Sequence, residues 1–409
     1  MALNYIWIGL FVAAFVAATG QTISGDGGAF PAIVQALFDA AANGFKIAIG
    51  LTGVLALWMG LMKIGERGGA TRALARLTAP LFRRLFPGVP ADSPAHGSII
   101  LNLAANMLGL DNAATPAGLQ AMRQMQELNP ARDRATDAQI MLLVLNTSGL
   151  TVIPVSIMVY RAQCGAANPA DIFLPVLLTT YISTLAGLVA VSLYQRLNLL
   201  HPVVLAYLGG ATLLVGGALW YLAGAPREQV AAISSSTGGV LLFTVIIAFI
   251  VAAARHRVNV YDAFIEGARG GFAVAVRIIP YLVAILAGVA AFRAAGCMEL
   301  IEGGAAWLCR QFGWGEEAIP ALPTALMKPL SGSGARGLMI DAMNAHGADS
   351  FAGRLASMFQ GATDTTFYII AVYFGAVNIK KTRHAIPCGL IADLAGVIAA
   401  VVIAHIFFD

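Results

Sequence analysis

The sequence predicts an all-α integral membrane protein with about nine transmembrane helices and two opposed re-entrant hairpins, arranged as two inverted repeats. Three observations carry this expectation. First, the 409 residues are 58% hydrophobic and only 11% charged, against about 25% charged residues in soluble domains. Second, apolar stretches close to the roughly 20 residues a spanning helix needs recur near 3–19, 45–64, 137–160, 172–194, 203–223, 236–254, 273–293, 355–376 and 386–408. Third, two polar, small-residue stretches, Asn102–Pro116 and Lys328–Gly337, each interrupt apolar sequence. Backbone exposed to lipid must satisfy its own hydrogen bonds, so such stretches at membrane depth imply backbone buried in protein or lining a cavity.

Taken in order, the first apolar stretch reads as a retained span, because Met1–Tyr5 carries no Lys or Arg, which a signal peptide normally has. After span 2, residues 71–86 combine several arginines with Leu74, Leu77, Leu81 and Leu85 on one side, the pattern of an interfacial helix on anionic lipid. Hairpin 1, near 96–122, precedes span 3, which carries Asn146, Thr147, Ser148, Thr151 and Pro154. Span 4 closes the first half and span 5 stands alone. Spans 6 and 7 lead to hairpin 2, near 320–343. Span 8 holds Gln360, Thr363, Asp364, Thr365 and Thr366, with a break expected at Thr365–Thr366, and span 9 ends the chain.

Charge orders these spans. If each hairpin returns to its own side, one set of loops carries Lys63, Arg67, Arg72, Arg76, Arg83, Arg84, Arg123, Arg132, Arg134, Arg196, Arg255, Arg257, Arg269, Lys380, Lys381 and Arg383. The opposite loops carry only Lys46, Arg161, Arg227, Arg293 and Arg310. The positive-inside rule then predicts a cytoplasmic N-terminus and an external C-terminus in a bacterial inner membrane.

The halves also echo one another. Asp39–Phe45 resembles Glu266–Phe272, and Leu108–Ala113 lines up with Leu330–Ala335. The pairs Ala121-Met122 and Ala342-Met343, and Val159-Tyr160 and Val372-Tyr373, recur at matching places. Each half has four spans and one hairpin, and the extra span 5 inverts the second half. The expected division is 1–196, a linking helix in 197–235, and 236–409. Inverted repeats with broken helices meeting near the midplane are a recurrent transporter design.

The candidate binding residues follow from these breaks. Asn102 and Asn106 lie four apart, on one helical face. Asp111, Asn112 and Thr115 open the second half of hairpin 1, with Pro116 expected near the first turn, where a missing N–H costs nothing. A helix N-terminus favours anionic or carbonyl oxygen, and Asn and Thr supply donors and acceptors. These side chains either bind a solute or bond back to hold the break. Span 3 adds Asn146, Thr147 and Ser148, and span 8 adds Gln360, Thr363, Asp364 and Thr365. Hairpin 2 adds Lys328, Ser331, Ser333 and Arg336. The two cations either snorkel to the interface or counter Asp364 or an anionic solute. Asp364 stands out because an ionised carboxylate deep in a membrane is costly and marks function or a partner. Asp393 and Arg277 read as weaker candidates.

Other chemistry is not signalled. Gly332–Gly337 matches GxGxxG only formally, with no strand before it. No cysteine pair or Cys/His spacing suggests a metal site, and no catalytic constellation is present. No enzyme activity, cofactor, metal or nucleic-acid partner is expected.

These residues carry a resemblance. Leu57–Lys63, Leu81–Pro87, Asn102–Asn106, Asn112–Gly118 and Asn146–Ser148 resemble spore maturation protein A. Pro329–Gly334, Gln360–Tyr368, Val372–Ala376 and Ile379–Lys381 resemble spore maturation protein B. The chain is similar to a natural fusion of the two, with span 5 and its flanks outside the likeness. The group is the nucleoside-recognition, or Gate, family, which is similar to parts of concentrative nucleoside transporters and ferrous-iron permeases. In those transporters opposed hairpins and unwound helices form the substrate site. The resemblance implies a permease for a small polar solute, nucleoside-like or anionic, with sodium or proton coupling through Asp364 and a homo-oligomeric state open to it. A membrane scaffold or sensor acting on cell-envelope or spore maturation is the competing expectation. Asp111 departs from the family pattern, where glycine is expected.

Overall fold

The structure is a computed structural model that describes residues 2–109, 111–311 and 316–408. Among these residues the regular structure is helical, apart from one isolated bridge between Arg134 and Lys381. The first half runs α1 (Ala2–Ile23), α2 (Ala29–Arg67), α3 (Ala70–Leu85), α4 (Ala95–Met107), α5 (Asp111–Glu127), α6 (Asp137–Ser148), α7 (Val155–Gln163) and α8 (Phe173–Gln195). A linking segment holds α9 (Pro202–Val204) and α10 (Gly210–Ala223), joined by a single π-helical turn. The second half runs α11 (Arg227–Arg255), α12 (Val260–Ala294), α13 (Cys297–Gln311), α14 (Leu322–Met327), α15 (Gly332–His346), α16 (Phe351–Ala362), α17 (Thr366–Gly375) and α18 (Ala385–Phe408).

Seven helices among the described residues are long and apolar enough to cross a membrane, which is consistent with an integral membrane protein. They coincide with seven of the nine expected spans. The other two, 137–160 and 355–376, are each split into a pair, α6 with α7 and α16 with α17. Their apolar runs are continuous in sequence, but local chemistry interrupts the helix. Gly149 takes a left-handed conformation (φ 51°), which only glycine adopts readily, and Pro154 follows. Thr365 is extended at the start of α17. Both halves therefore show the same element order: a long helix, a second long helix, a shorter helix, a helical hairpin, a broken pair and a long closing helix.

The chain forms two compact units. The first is Met1–Met59, Val159–Pro169 and Ala268–Gln360, and the second is Gly60–Met158, Ala170–Gly267 and Gly361–Asp409. Each unit thus draws on both sequence halves and holds one hairpin.

The first unit is cemented by small side chains. Ala14, Ala18, Ala29, Ala291 and Ala295 are buried together, the close-packing mode of membrane helices, where dispersion replaces the hydrophobic effect. Ile285, Val289, Met298 and Leu338 make a second apolar cluster. Hairpin 2 is α14 and α15. Its turn is fixed by Ser331, whose Oγ accepts from Gly334 N at 3.0 Å and caps α15. A Cβ on Gly337 would fall 2.1 Å from Ile285 Cγ2, so α15 lies close against α12.

The second unit holds the large core, including Leu81, Leu85, Phe86, Ile99, Met122, Ile140–Leu145, Val191 and Phe374. Helices α8 and α18 pack along their lengths, with α6 against both. Hairpin 1, α4 packed on α5, leans on α3, α6 and α17. Helix α6 starts in a capping box, Thr136 with Gln139. The amphipathic α3 buries Leu81, Phe82 and Leu85 and ends in Arg83 and Arg84, whereas Leu77, expected on the same apolar side, is exposed. Pro116 also departs from expectation. Helix α5 starts at Asp111, so Pro116 lies inside it, beyond its first turn.

Candidate functional site

The polar residues of the second unit converge where its helices are interrupted. Asn102 and Asn106 sit one turn apart on α4, Asn146 lies in the last turn of α6, and Tyr373 lies on α17. Asn146 Nδ2 donates to Asn102 Oδ1 at 2.8 Å and to its own helix at Leu142 O, also 2.8 Å. Its Oδ1 accepts from Asn106 Nδ2 at 2.5 Å and from the Tyr373 hydroxyl at 3.1 Å. Asn102 Nδ2 donates to Ala114 O across the hairpin (2.8 Å) and to the Tyr373 oxygen (3.3 Å). Asn102 and Asn146 are buried, while Asn106 keeps an accessible edge. Gly118 makes the cluster possible, since a Cβ there would lie 2.4 Å from the Tyr373 hydroxyl and 2.8 Å from Asn102 Nδ2.

The helix breaks meet beside this cluster. Asp364 N donates to Thr147 O at 2.7 Å, which satisfies a carbonyl at the end of α6 with an amide from the other broken segment. Val152 N donates to Met107 O at 2.8 Å, tying the α6–α7 break to the hairpin turn. Thr147 and Ser148 are fully buried at that end, and Thr363 and Thr365 are buried across from them. Asp364 itself is exposed, and its Oδ1 accepts from Thr365 N at 2.6 Å. Thr366 Oγ1 donates to Asp393 Oδ2 at 2.6 Å, with Asp393 buried on α18. Gly389 leaves room for that approach, since a Cβ there would meet Thr366 Cγ2 at 2.8 Å.

Three of the expected hairpin 1 and span 3 residues, Asn102, Asn106 and Asn146, are therefore joined directly. Thr115 is exposed on α5 and makes no bond to the cluster. The side chains of Asp111 and Asn112 lie outside the described residues. Tyr373, Gly118 and Thr366 were not among the expected site residues, and Asp393 was expected only as a weaker candidate. The recurrence of Val159-Tyr160 as Val372-Tyr373 was a usable signal for Tyr373, and the membrane-carboxylate argument made for Asp364 applies equally to Asp393.

The first unit has its own polar set. The Arg336 guanidinium carbon on hairpin 2 lies 5.2 Å from the centre of the Tyr160 ring, a cation–π contact. Gln360 Nε2 donates to Gly332 O at 3.4 Å, and Ser333 Oγ sits 3.3 Å from Ser331 Oγ. Lys328 is buried at the end of α14. Each unit thus holds a hairpin residue touching the repeated tyrosine, with a broken-helix amide bonded to its hairpin. Among the described residues no three metal-ligating side chains converge.

Comparison with known proteins gives the context. The family described as nucleoside recognition, Gate, matches residues 48–163 and 275–380. The chain is 39% identical over 186 residues to spore maturation protein A of Bacillus subtilis (strain 168), covering 46% of this chain and 92% of that protein. It is 43% identical over 154 residues to spore maturation protein B of the same organism, covering 37% of this chain and 84% of that protein. Two separate proteins are thus matched within one polypeptide, consistent with a fusion, and the chain belongs to the Gate nucleoside-recognition family.

Proposed function

We propose that the chain is a membrane permease that moves a small polar solute, nucleoside-like or anionic, by alternating access, and that the Asn102–Asn106–Asn146–Tyr373 cluster recognises it. One observation carries the reading. A hairpin, the end of one broken helix and the second part of another contribute amides and a hydroxyl to a single point, next to backbone that is not helical. In a bilayer such backbone is tolerated only where protein buries it or where it lines a water-filled cavity, and transporters bind solutes at broken helices. Amides offer paired donors and acceptors, the chemistry that reads a nucleobase edge or a sugar hydroxyl, and the family's description points to the same class. Asp364, exposed at the break, is the group we assign to sodium or proton coupling. By analogy with the repeat, we assign a like role to Arg336 and Gln360 with Tyr160, and to Lys328, Ser331 and Ser333 beside them. Charge asymmetry supports a cytoplasmic N-terminus and an external C-terminus.

Asn106→Ala is the informative variant. Asn146 Oδ1 keeps the Tyr373 hydroxyl as donor, so the buried part of the cluster stays satisfied while the accessible amide is lost. In proteoliposomes screened with a nucleoside and organic-anion panel, the wild type should accumulate a solute and Asn106→Ala should lose uptake while staying folded. Wild-type transport of no solute in that panel, or full uptake by Asn106→Ala, overturns the proposal.

A further inference from the structure

A cleft lies in the second unit, apart from the amide cluster. It is a broad cleft of about 650 Å³ lined by Arg123, Gln126, Glu127, Arg132, Asp133, Ala376, Val377, Asn378 and Lys380. Its walls are the C-terminal end of α5, the loop before α6 and the loop after α17. The volume falls within the roughly 300–1,000 Å³ typical of small-molecule sites.

The walls are built rather than incidental. Asn129 is buried, donates to Gln126 Oε1 (3.0 Å) and to Arg134 O (2.8 Å), and accepts from Ala131 N (3.0 Å). Gln126 is held by Gln139 at 2.9 Å and donates to Arg132 O at 2.8 Å. The amides of Lys380 and Lys381 both donate to Asp133 O at 2.9 Å, which locks the two loops together.

The charge on these walls is uneven. Asp133 is already paired with Lys381 at 3.0 Å, and that lysine holds its carboxyl below the usual carboxylate range. This leaves Arg123, Arg132 and Lys380 facing Glu127. Arg132 Nη1 caps the end of α5 at Gln126 O (3.2 Å), while among the described residues neither Arg123 nor Lys380 makes a direct ion pair, and Lys380 acts on Asp133 only through space. Two arginine forks and an ammonium around one cleft suit a multiply charged oxyanion, since planar guanidinium groups bind phosphate oxygens in pairs.

We propose that this cleft binds a phosphate-bearing anion, either a soluble phosphate compound or a phospholipid headgroup. The site is placed to act on the amide cluster. Arg123 and Gln126 lie on α5, the helix that supplies Ala114 O and Gly118, and Val377 follows Tyr373 by one turn. The loops concerned belong to the basic side that charge asymmetry assigns to the cytoplasm.

The test uses the full chain in phosphatidylcholine nanodiscs, titrated with inorganic pyrophosphate and with ADP, and native mass spectrometry of the chain extracted with phosphatidylglycerol. Wild type should bind one of the soluble anions or retain the anionic lipid. The Arg123→Gln/Lys380→Gln double variant should weaken that binding by about tenfold or more, and Arg255→Gln, an exposed cation outside the cleft, should not. Soluble binding lost in the double variant identifies a free phosphate compound, and lipid retention lost there identifies a headgroup. Equal behaviour of wild type and double variant toward both probes overturns the proposal, as does an equal loss in Arg255→Gln.

Discussion

Asn146→Ala removes the hub of one hydrogen-bond network and Tyr373→Phe removes a single donor to it, and the structure predicts very different costs. Truncating Asn146 takes the donor from Asn102 Oδ1 and the acceptor from both Asn106 Nδ2 and the Tyr373 hydroxyl. A buried polar group left unsatisfied costs about 1–3 kcal/mol, whereas interhelical hydrogen bonds within membranes average only about 0.6 kcal/mol. Three such bonds between separate helices therefore set a floor near 2 kcal/mol. Tyr373→Phe keeps the ring and removes one hydroxyl. Asn146 Oδ1 then still has Asn106, and Asn102 Nδ2 still has Ala114 O, so no other atom is orphaned and the cost should stay below about 1 kcal/mol. The double variant should cost no more than Asn146→Ala alone, because Phe leaves no hydroxyl to strand, and this is non-additive behaviour. Reversible denaturation in bicelles, followed by helical circular dichroism, measures all three. Equal losses for the two single variants, or strict additivity in the double, would refute the network as described.

Further outcomes follow from single contacts. Gly118→Ala should destabilise by about 1–3 kcal/mol, the range for overpacking, because its Cβ would strike the Tyr373 hydroxyl and Asn102; thermal unfolding in nanodiscs reads it. Asp349→Ala removes an acceptor from the fully buried Arg161 (3.1 Å) and from Ala167 N (2.8 Å). Since the Asp349 side chain is 35% exposed, the cost should lie nearer about 1–3 kcal/mol than the roughly 3–5 of a fully buried pair, measured by the same denaturation. Burial, and then Arg383, hold His384 below its ordinary value of 6.5, against the pull of Asp137. A histidine with a depressed folded pKa favours the neutral form, so its contribution is present above about pH 6.5 and is lost as pH falls through the folded value. Melting temperature should drop across that window, and less so in His384→Gln.

Much of the architecture was legible because lipid makes the sequence explicit. Apolar length gave the seven long helices, and small polar clusters gave the two helical hairpins and the break in span 8, since hydrocarbon leaves few uses for Asn, Gly and Pro clusters, whereas 137–160 read as one continuous span. Asn102, Asn106 and Asn146 were legible for the same reason. Tyr373 was not, because a tyrosine in an apolar run reads as interface aromatic until its partner is known. The position of Pro116 depended on where the hairpin turned, a backbone detail set by Gly109 (φ 69°) that local pattern does not fix. The compact units could not be read at all. Periodicity and repeats divide a chain along its sequence, whereas these units mix segments from both halves, and only long-range packing reveals that.

That mixing has a consequence for the chain as a single polypeptide. The amide cluster joins Asn102, Asn106 and Asn146 from the first half to Tyr373 from the second, and the carbonyl of Thr147 is satisfied by the amide of Asp364. In the first unit Arg161 is buried against Ala348 O and Asp349 of the second half. In α8 and α18 the helices pack along each other, and Ser183 donates to Ala392 O at 2.9 Å. A half expressed alone would expose these groups to lipid or leave them unpaired, each at a cost of order 1–3 kcal/mol, against total stabilities of about 5–15 kcal/mol. Severing the chain at Gly224–Pro226, after α10, should therefore yield halves that are unstable separately and that associate when made together. Co-expression of 1–225 and 226–409 should restore the melting temperature to within a few degrees of the intact chain, and each fragment alone should be degraded or aggregate. Two independently stable fragments would mean that the bonds between halves are dispensable, and the reasoning from interleaved packing would fail.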